Sequence, residues 1–378
     1  MIFKKSLLVF ALLLLFLPIF QSNFKMIHLY KLAGDDAVKD DTMFTIHTYF
    51  SGIYQKKLDE HASSDFGFRT LLIKIHNQLN FSLFHKVNAK GVIAGKDNYL
   101  FETTYINSYL GNDYMGEDSI TQNLTRLKRI SDTLIKLHKR LMVVIAPSKP
   151  SYYCEFLPDE CKLKKRPTNY NSIVKGIKEQ QLSCIDFSDW FNKNKYKSTY
   201  PLYPKHGNHW SMYGSYLAAD SIIKYIESDQ KIDLPNILLK DVRIEQPKNE
   251  DKDIEYGINL LFKLKSFDLA NPIVKSEDTL GKAKKSVLVI GDSFYWNIYN
   301  LGFSNCFKSS SFWYYNKAVY PDSYKNRVMV EDLNFEKELK KHDIIIILAT
   351  ESNIKSLGWG FMDNAERYFK LNNHPIIN

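Results

Sequence analysis

The sequence predicts an α/β fold built on a mainly parallel sheet, and three observations carry that prediction. Leu141–Ala146, Ser286–Ile290 and Ile344–Leu348 are almost continuously apolar and of strand length. Such runs, lacking the alternation of a half-exposed sheet, read as strands buried on both faces. Segments with apolar residues at helical spacing stand between them, the order of a parallel sheet with helices on both sides. Each run also ends in polar residues, where open α/β sheets gather their functional groups.

Taken in chain order, Lys4 and Lys5 precede Ser6–Phe20, with seven Leu among its fifteen residues. A helix of that length spans about 22 Å, short of the ~30 Å hydrocarbon core. A cleaved signal peptide and an uncleaved anchor with snorkelling lysines compete. Gln21-Ser22-Asn23-Phe24-Lys25 offers no small-x-small cleavage site, which favours a signal anchor over residues 1–25. By the positive-inside rule the lysines stay cytoplasmic. The expectation is a single-pass inner-membrane protein whose body faces the periplasm or the extracellular side.

Residues 26–119 read as a stalk followed by a helix and a β-hairpin. The stalk carries Asp35, Asp36, Asp40 and Asp41, and Asp65-Phe66-Gly67-Phe68-Arg69 opens a helical stretch through Phe84. Val92-Ile93-Ala94 and Tyr99-Leu100-Phe101 flank Gly95-Lys96-Asp97-Asn98, a hairpin pattern. Residues 120–378 read as the α/β domain. Leu124, Leu127, Ile130, Leu134 and Leu137 set a helix within 120–140. A second helix is expected over 168–182, a short strand at Leu182–Ile185, and a third helix after His209. Residues 229–280 are charged and aperiodic, an expected insertion.

The 378 residues include 51 Lys plus Arg against 42 Asp plus Glu, a formal charge of +9. Hydrophobic content of 44% and charged content of 25% exclude wholesale disorder. No Lys/Arg run exceeds three residues, so nucleic acid is not expected as a partner. In an exported chain Cys154 and Cys161 are candidates for a short disulfide, with Cys184 and Cys306 as buried thiols. No CxxC pair suggests structural zinc.

Three strand ends bring polar residues together: Pro147-Ser148-Lys149, Gly291-Asp292-Ser293 and Thr350-Glu351-Ser352-Asn353. Ser293 follows a strand and a glycine at a helix entrance, where its hydroxyl is exposed and backbone N–H groups can stabilise an oxyanion. The competing reading is an Asp/Ser helix cap. Among ten histidines, His209 stands before a helix in Lys205-His206-Gly207-Asn208-His209-Trp210-Ser211, a perch for a general base. A surface histidine near a cap is the bland alternative. Metal binding by His206 and His209 is disfavoured by Gly207, which argues for a loop.

The strand-borne Gly-Asp-Ser-Phe, preceded in the chain by His209-Trp210-Ser211-x-x-Gly214, resembles the SGNH hydrolase-like domain of the AlgX/AlgJ family of alginate O-acetyltransferases. The likeness extends to Asp65–Arg69, to Gly95–Phe101 and to Pro147-Ser148-Lys149, so it spans roughly residues 60–360. It implies an SGNH-like three-layer sandwich in a permuted, His-before-Ser order. It also implies acetyl transfer to an exported cell-envelope polysaccharide through an acyl-Ser293 intermediate, with His209 as base and no cofactor. A membrane-bound O-acyltransferase (MBOAT) would supply acetyl. The Ser293 N–H and Asn353 would bind the oxyanion, and Ser148, Lys149 and Trp210 would line the oxyanion or glycan site. One departure stands out: the family's Asp-x-His-Trp has Gly207 where its Asp belongs. A dyad oriented by a backbone carbonyl, an acid from elsewhere (Glu351 and Asp186 being possible donors) and an inactive relative remain open. The alternatives to a transferase are an acetylesterase and a non-catalytic glycan-binding scaffold.

Overall fold

The computed structural model describes residues 2–34, 43–64, 66–162 and 166–371. Asp35, Asp36, Asp40, Asp41 and Asp65, named above, lie outside the described residues. Among the described residues ten strands occur in chain order: β1 (Val92–Ala94), β2 (Leu100–Glu102), β3 (Arg140–Ala146), β4 (Cys184–Asp186), β5 (Ile237–Glu245), β6 (Leu269–Ser276), β7 (Ser286–Gly291), β8 (Ser309–Tyr314), β9 (Ala318–Tyr320) and β10 (Ile344–Thr350). Six of them form one sheet in the order β4-β3-β10-β7-β8-β9. All its pairings are parallel except β8 with β9.

The three apolar runs are the central strands, and their period-2 geometry splits them between two cores. Met142 and Val144 of β3, Val287 and Val289 of β7 and Ile344 and Ile346 of β10 face one side. Their immediate neighbours, such as Val143, Leu288 and Ile345, face the other. Helices cover each side. Met212–Gln230 lays Ala218, Ala219, Ile222, Ile223 and Ile226 on the first core. Glu117–Lys136 and Asn169–Glu179 lay Leu124, Leu127, Ile130, Ile173 and Ile177 on the second. The result is a three-layer α/β sandwich. Glu117 and Asp118 in the first turn and Lys136 in the last complement the dipole of its longest covering helix.

The chain divides into two compact units, Ile93–Asp253 with Lys265–Asn378, and Met1–Val92 with Ile254–Leu264. The first holds the sheet. In the second, Ile2–Phe24 is a helix, and its Lys4–Phe24 part is long and apolar enough to cross a membrane, alone in this among the described residues. It outruns the expected Ser6–Phe20 segment. At 1.5 Å per residue its 21 residues reach about 32 Å. The same unit carries helix Arg69–Phe84, where the sequence placed one.

The segment read as an insertion contains β5 and β6, paired antiparallel with a register shift between Leu239 and Asp241. Between them lies a 3-10 turn, Asn249–Lys252, that leads directly into Asp253. One expectation is corrected here: Cys154 and Cys161 are not bridged, and all four cysteines are free thiols. Cys154 is exposed with its sulfur toward Glu155, whereas Cys161 sits on a separate 3-10 turn and packs against the first core. Thiol titration of the denatured, unreduced chain is therefore expected to count four thiols, and a count of two would restore the bridge.

Candidate active site

Ser293 stands two residues past the end of β7, between the strand and helix Tyr295–Asn300. The residue before it does the anchoring. Asp292 is fully buried, and its Oδ2 accepts from the Thr350 N–H (2.8 Å), the Thr350 hydroxyl (3.0 Å) and Asn353 Nδ2 (2.9 Å). Its Oδ1 accepts from the Phe294 N–H at 3.1 Å. Asp292 thus ties the end of β7 to the end of β10 and fixes the turn that presents Ser293. Burial raises its pKa, against the lowering effect of these donors.

His209 reaches this turn from the loop that precedes helix Met212–Gln230. Ser211 caps that helix, accepting from the Gly214 N–H at 3.0 Å. His209 Nε2 lies 2.9 Å from Ser293 Oγ, and Nδ1 lies 2.9 Å from Asp253 Oδ2. A carboxylate can only accept, so Nδ1 carries the proton and Nε2 is free to accept from the serine hydroxyl. The other oxygen of Asp253 accepts from the Asn208 N–H at 2.8 Å. Burial lowers the His209 pKa, but the Asp253 hydrogen bond and the charges of Asp253, Asp292 and Glu102 outweigh it. The net shift is upward from the ordinary imidazole value.

Asp253 therefore stands where the missing acid was sought, 44 residues after the histidine. The two donors considered from the sequence are occupied elsewhere. Asp186 caps helix Phe187–Asn194 and accepts from the Tyr170 hydroxyl at 2.9 and 3.1 Å. Glu351 is buried and accepts from the Ser148 N–H at 3.0 Å, the Ser148 hydroxyl at 3.3 Å and the Ser188 hydroxyl. Gly207 explains why no Asp stands two residues before His209. A β-carbon there would lie 2.5 Å from the Glu250 carbonyl oxygen and 2.8 Å from that of Asp251. The backbone of the turn that delivers Asp253 fills that space.

The other expected site residues separate into two groups. Asn353 lines the same cavity as Ser293 and His209, spending one of its two N–H donors on Asp292. Ser148, Lys149 and Trp210 do not reach it, because all three are buried. Ser148 is bound to Glu351. Trp210 packs against Phe187, Phe191 and Phe294 and donates its indole N–H to the Phe294 carbonyl at 3.1 Å. Lys149 donates to the carbonyls of Lys205 and Gly207, both at 2.7 Å, so it pins the histidine loop from beneath. Burial pushes its pKa down to about 7, against the pull of Asp253 and Glu102. Lys149 and Trp210 thus lie beneath the site and do not line its cavity.

The cavity over Ser293 has a volume of about 490 Å³, and Glu102, Tyr105 and Tyr315 also line it. Tyr315 has a left-handed backbone (φ 50°) and donates its N–H to the Gly291 carbonyl at 2.8 Å. Burial first and Asp292 second raise its phenol pKa, keeping it a neutral donor. Nothing in the sequence marked Tyr315, Glu102 or Asp253.

Residues 92–253 match the family model described as "SGNH hydrolase-like domain, acetyltransferase AlgX". That stretch of the chain is thus similar to an SGNH hydrolase-like domain of the AlgX type. The match contains His209 and ends at Asp253; Ser293 lies beyond it. "Probable alginate O-acetylase AlgJ" of Pseudomonas putida is 22% identical over 179 residues, 47% of this chain and 45% of that protein. The protein of that name from Pseudomonas syringae pv. tomato is 22% identical over 175 residues, 46% of this chain and 43% of its own. The aligned part of the chain thus spans less than half the length of these relatives. Of solved structures, the O-acetyltransferase domain of Pseudomonas putida AlgJ aligns with a TM-score of 0.45 at 17% identity, covering 70% of this chain and 92% of that one.

Two outcomes test the site. The base must be neutral to act, so kcat/KM for an acetyl ester should fall as pH drops through the raised His209 pKa. In Asp253→Asn the raising influence is removed and burial remains. The acid limb of the profile is then expected to move to lower pH, with a plateau lower by about 10⁴. In that background Gly207→Asp is expected not to restore activity, because the added side chain meets the backbone of residues 250–251. Rescue to within tenfold of the parent would show that the turn yields and the position still accepts the acid.

Proposed function

We propose that this chain is a membrane-anchored O-acetyltransferase that moves acetyl groups onto an exported polysaccharide through an acetyl-Ser293 intermediate. The observation that carries the proposal is the unbroken relay Asp253–His209–Ser293, with 2.9 Å at each of its two steps. Ser293 Oγ attacks the carbonyl carbon of the acetyl donor while His209 Nε2 takes its proton. The Ser293 N–H and the Asn353 amide stabilise the tetrahedral oxyanion, and Tyr315 stands beside them as a further donor. His209 returns the proton to the leaving group as the donor bond breaks. An acceptor sugar hydroxyl then loses its proton to His209 and takes the acetyl group, and Ser293 is regenerated. Asp253 holds the ring in the productive tautomer and stabilises the imidazolium in both halves.

The surroundings of this chemistry complete the proposal. Helix Lys4–Phe24 anchors the chain in the inner membrane, with the sheet domain on the periplasmic or extracellular side. A membrane-bound O-acyltransferase supplies acetyl from the cytoplasmic side. The family match and the alginate O-acetylase relatives support polysaccharide acetylation as the class of reaction. The complete relay speaks against a non-catalytic scaffold. Water in place of the sugar hydroxyl would make the same machinery an esterase, and an acceptor decides between the two.

The test incubates the full chain with p-nitrophenyl acetate, with and without an oligosaccharide acceptor. Digestion and mass spectrometry are expected to find acetyl on Ser293. Nitrophenol release should exceed that of Ser293→Ala and of His209→Ala by about 10³ or more. Wild-type turnover no faster than Ser293→Ala would rule out both enzymatic readings, and release unchanged by any acceptor would leave the esterase.

A further inference from the structure

Glu102 ends β2 and stands at the N-cap position of helix Thr103–Tyr109, yet its side chain makes no capping bond. It is partly buried and lines the cavity over Ser293, with no hydrogen bond or ion pair to the described residues. A half-buried carboxylate left without partners costs desolvation energy that a capping bond would offset. Its oxygens are therefore available to whatever enters the cavity.

The charges around it narrow what that is. Among the described residues lining the cavity, the charged side chains are Glu102, Asp113, Asp253 and Lys355. Lys355 is spent on Asp113 at 2.9 Å, and Asp253 is held by His209 and the Asn208 N–H. Behind the wall lie the fully buried Asp292 and Lys149, where burial opposes the charged form of each, and Lys149 is committed to two carbonyls. The lining thus presents excess negative charge and no unpaired cation, although the whole chain is +9. A uronate arriving here would lose water and meet like charge. Neutral sugar hydroxyls would instead find a strong carboxylate acceptor.

From this we propose that the acceptor is a sugar polymer without carboxylate groups at the acetylated residue, and that Glu102 is the specificity-determining side chain, accepting hydrogen bonds from its hydroxyls. The inference rests on the acetyl-Ser293 reading for its meaning, but its test does not require turnover. Binding of a neutral β-1,4-glucan hexamer and of a hexamannuronate to the full chain in detergent, at low salt, is measured by calorimetry. The glucan is expected to bind at least tenfold more tightly. Glu102→Lys should cut that ratio at least tenfold and Glu102→Gln at least threefold, with melting temperature reporting that each variant is folded. The inference is overturned by uronate binding as tightly as glucan, by no detectable binding of either, or by an unchanged ratio in a folded variant. Failure to acetylate Ser293 with p-nitrophenyl acetate would instead strike the acetyltransferase reading, whichever hexamer binds.

Discussion

The site depends on one close approach. The backbone of Glu250 and Asp251 passes where a β-carbon on residue 207 would be, and only glycine permits it. That approach brings the Asp253 carboxylate onto both His209 Nδ1 and the Asn208 N–H. It therefore sets the tautomer of the ring, the upward shift of its pKa and the availability of Nε2 to Ser293. The glycine that looked like a lost acid is the space through which the acid arrives.

Three buried charged groups hold the strand and loop ends of the site, and each is satisfied by hydrogen bonds. Asp292 joins the ends of β7 and β10, Glu351 joins the end of β10 to Ser148 and Ser188, and Lys149 ties down the carbonyls of the histidine loop. Removing Lys149 would leave the Gly207 carbonyl unpaired, at about 1–3 kcal/mol, and the Lys205 carbonyl with only a long bond from the Leu100 N–H at 3.5 Å. Such groups are costly to desolvate, so their presence at three strand or loop ends is consistent with a site held rigid. Preorganisation of this kind lets donors face a developing oxyanion without reorganising.

The sheet was legible because its centre obeys simple rules. β3, β7 and β10 are apolar on both faces, and the helices Glu117–Lys136 and Met212–Gln230 keep a helical spacing. β8 was not, since Ser309-Ser310-Ser311 hides a strand whose apolar residues, Phe312 and Trp313, come only at its end. Ser293 and His209 were legible because their neighbours fix them locally at a strand end and a helix start. Asp253 was not, because nothing local distinguishes it among the eleven acidic residues of 229–280; a fold that returns the chain to Gly207 selects it. Lys149 and Trp210 are the reverse case. Their types suit a glycan surface, but their positions lie under the loop they support.

The assignment of Asp253 as the acid is tested most directly by observing the proton it accepts. Proton NMR of the full chain is expected to show a resonance far downfield of the amide envelope from the His209 Nδ1–H held by a carboxylate. It should vanish in Asp253→Asn and in His209→Ala, and persist in Asp186→Asn. A downfield signal that survives Asp253→Asn, or one lost in a folded Asp186→Asn, would contradict the assignment and return the acid to another part of the chain.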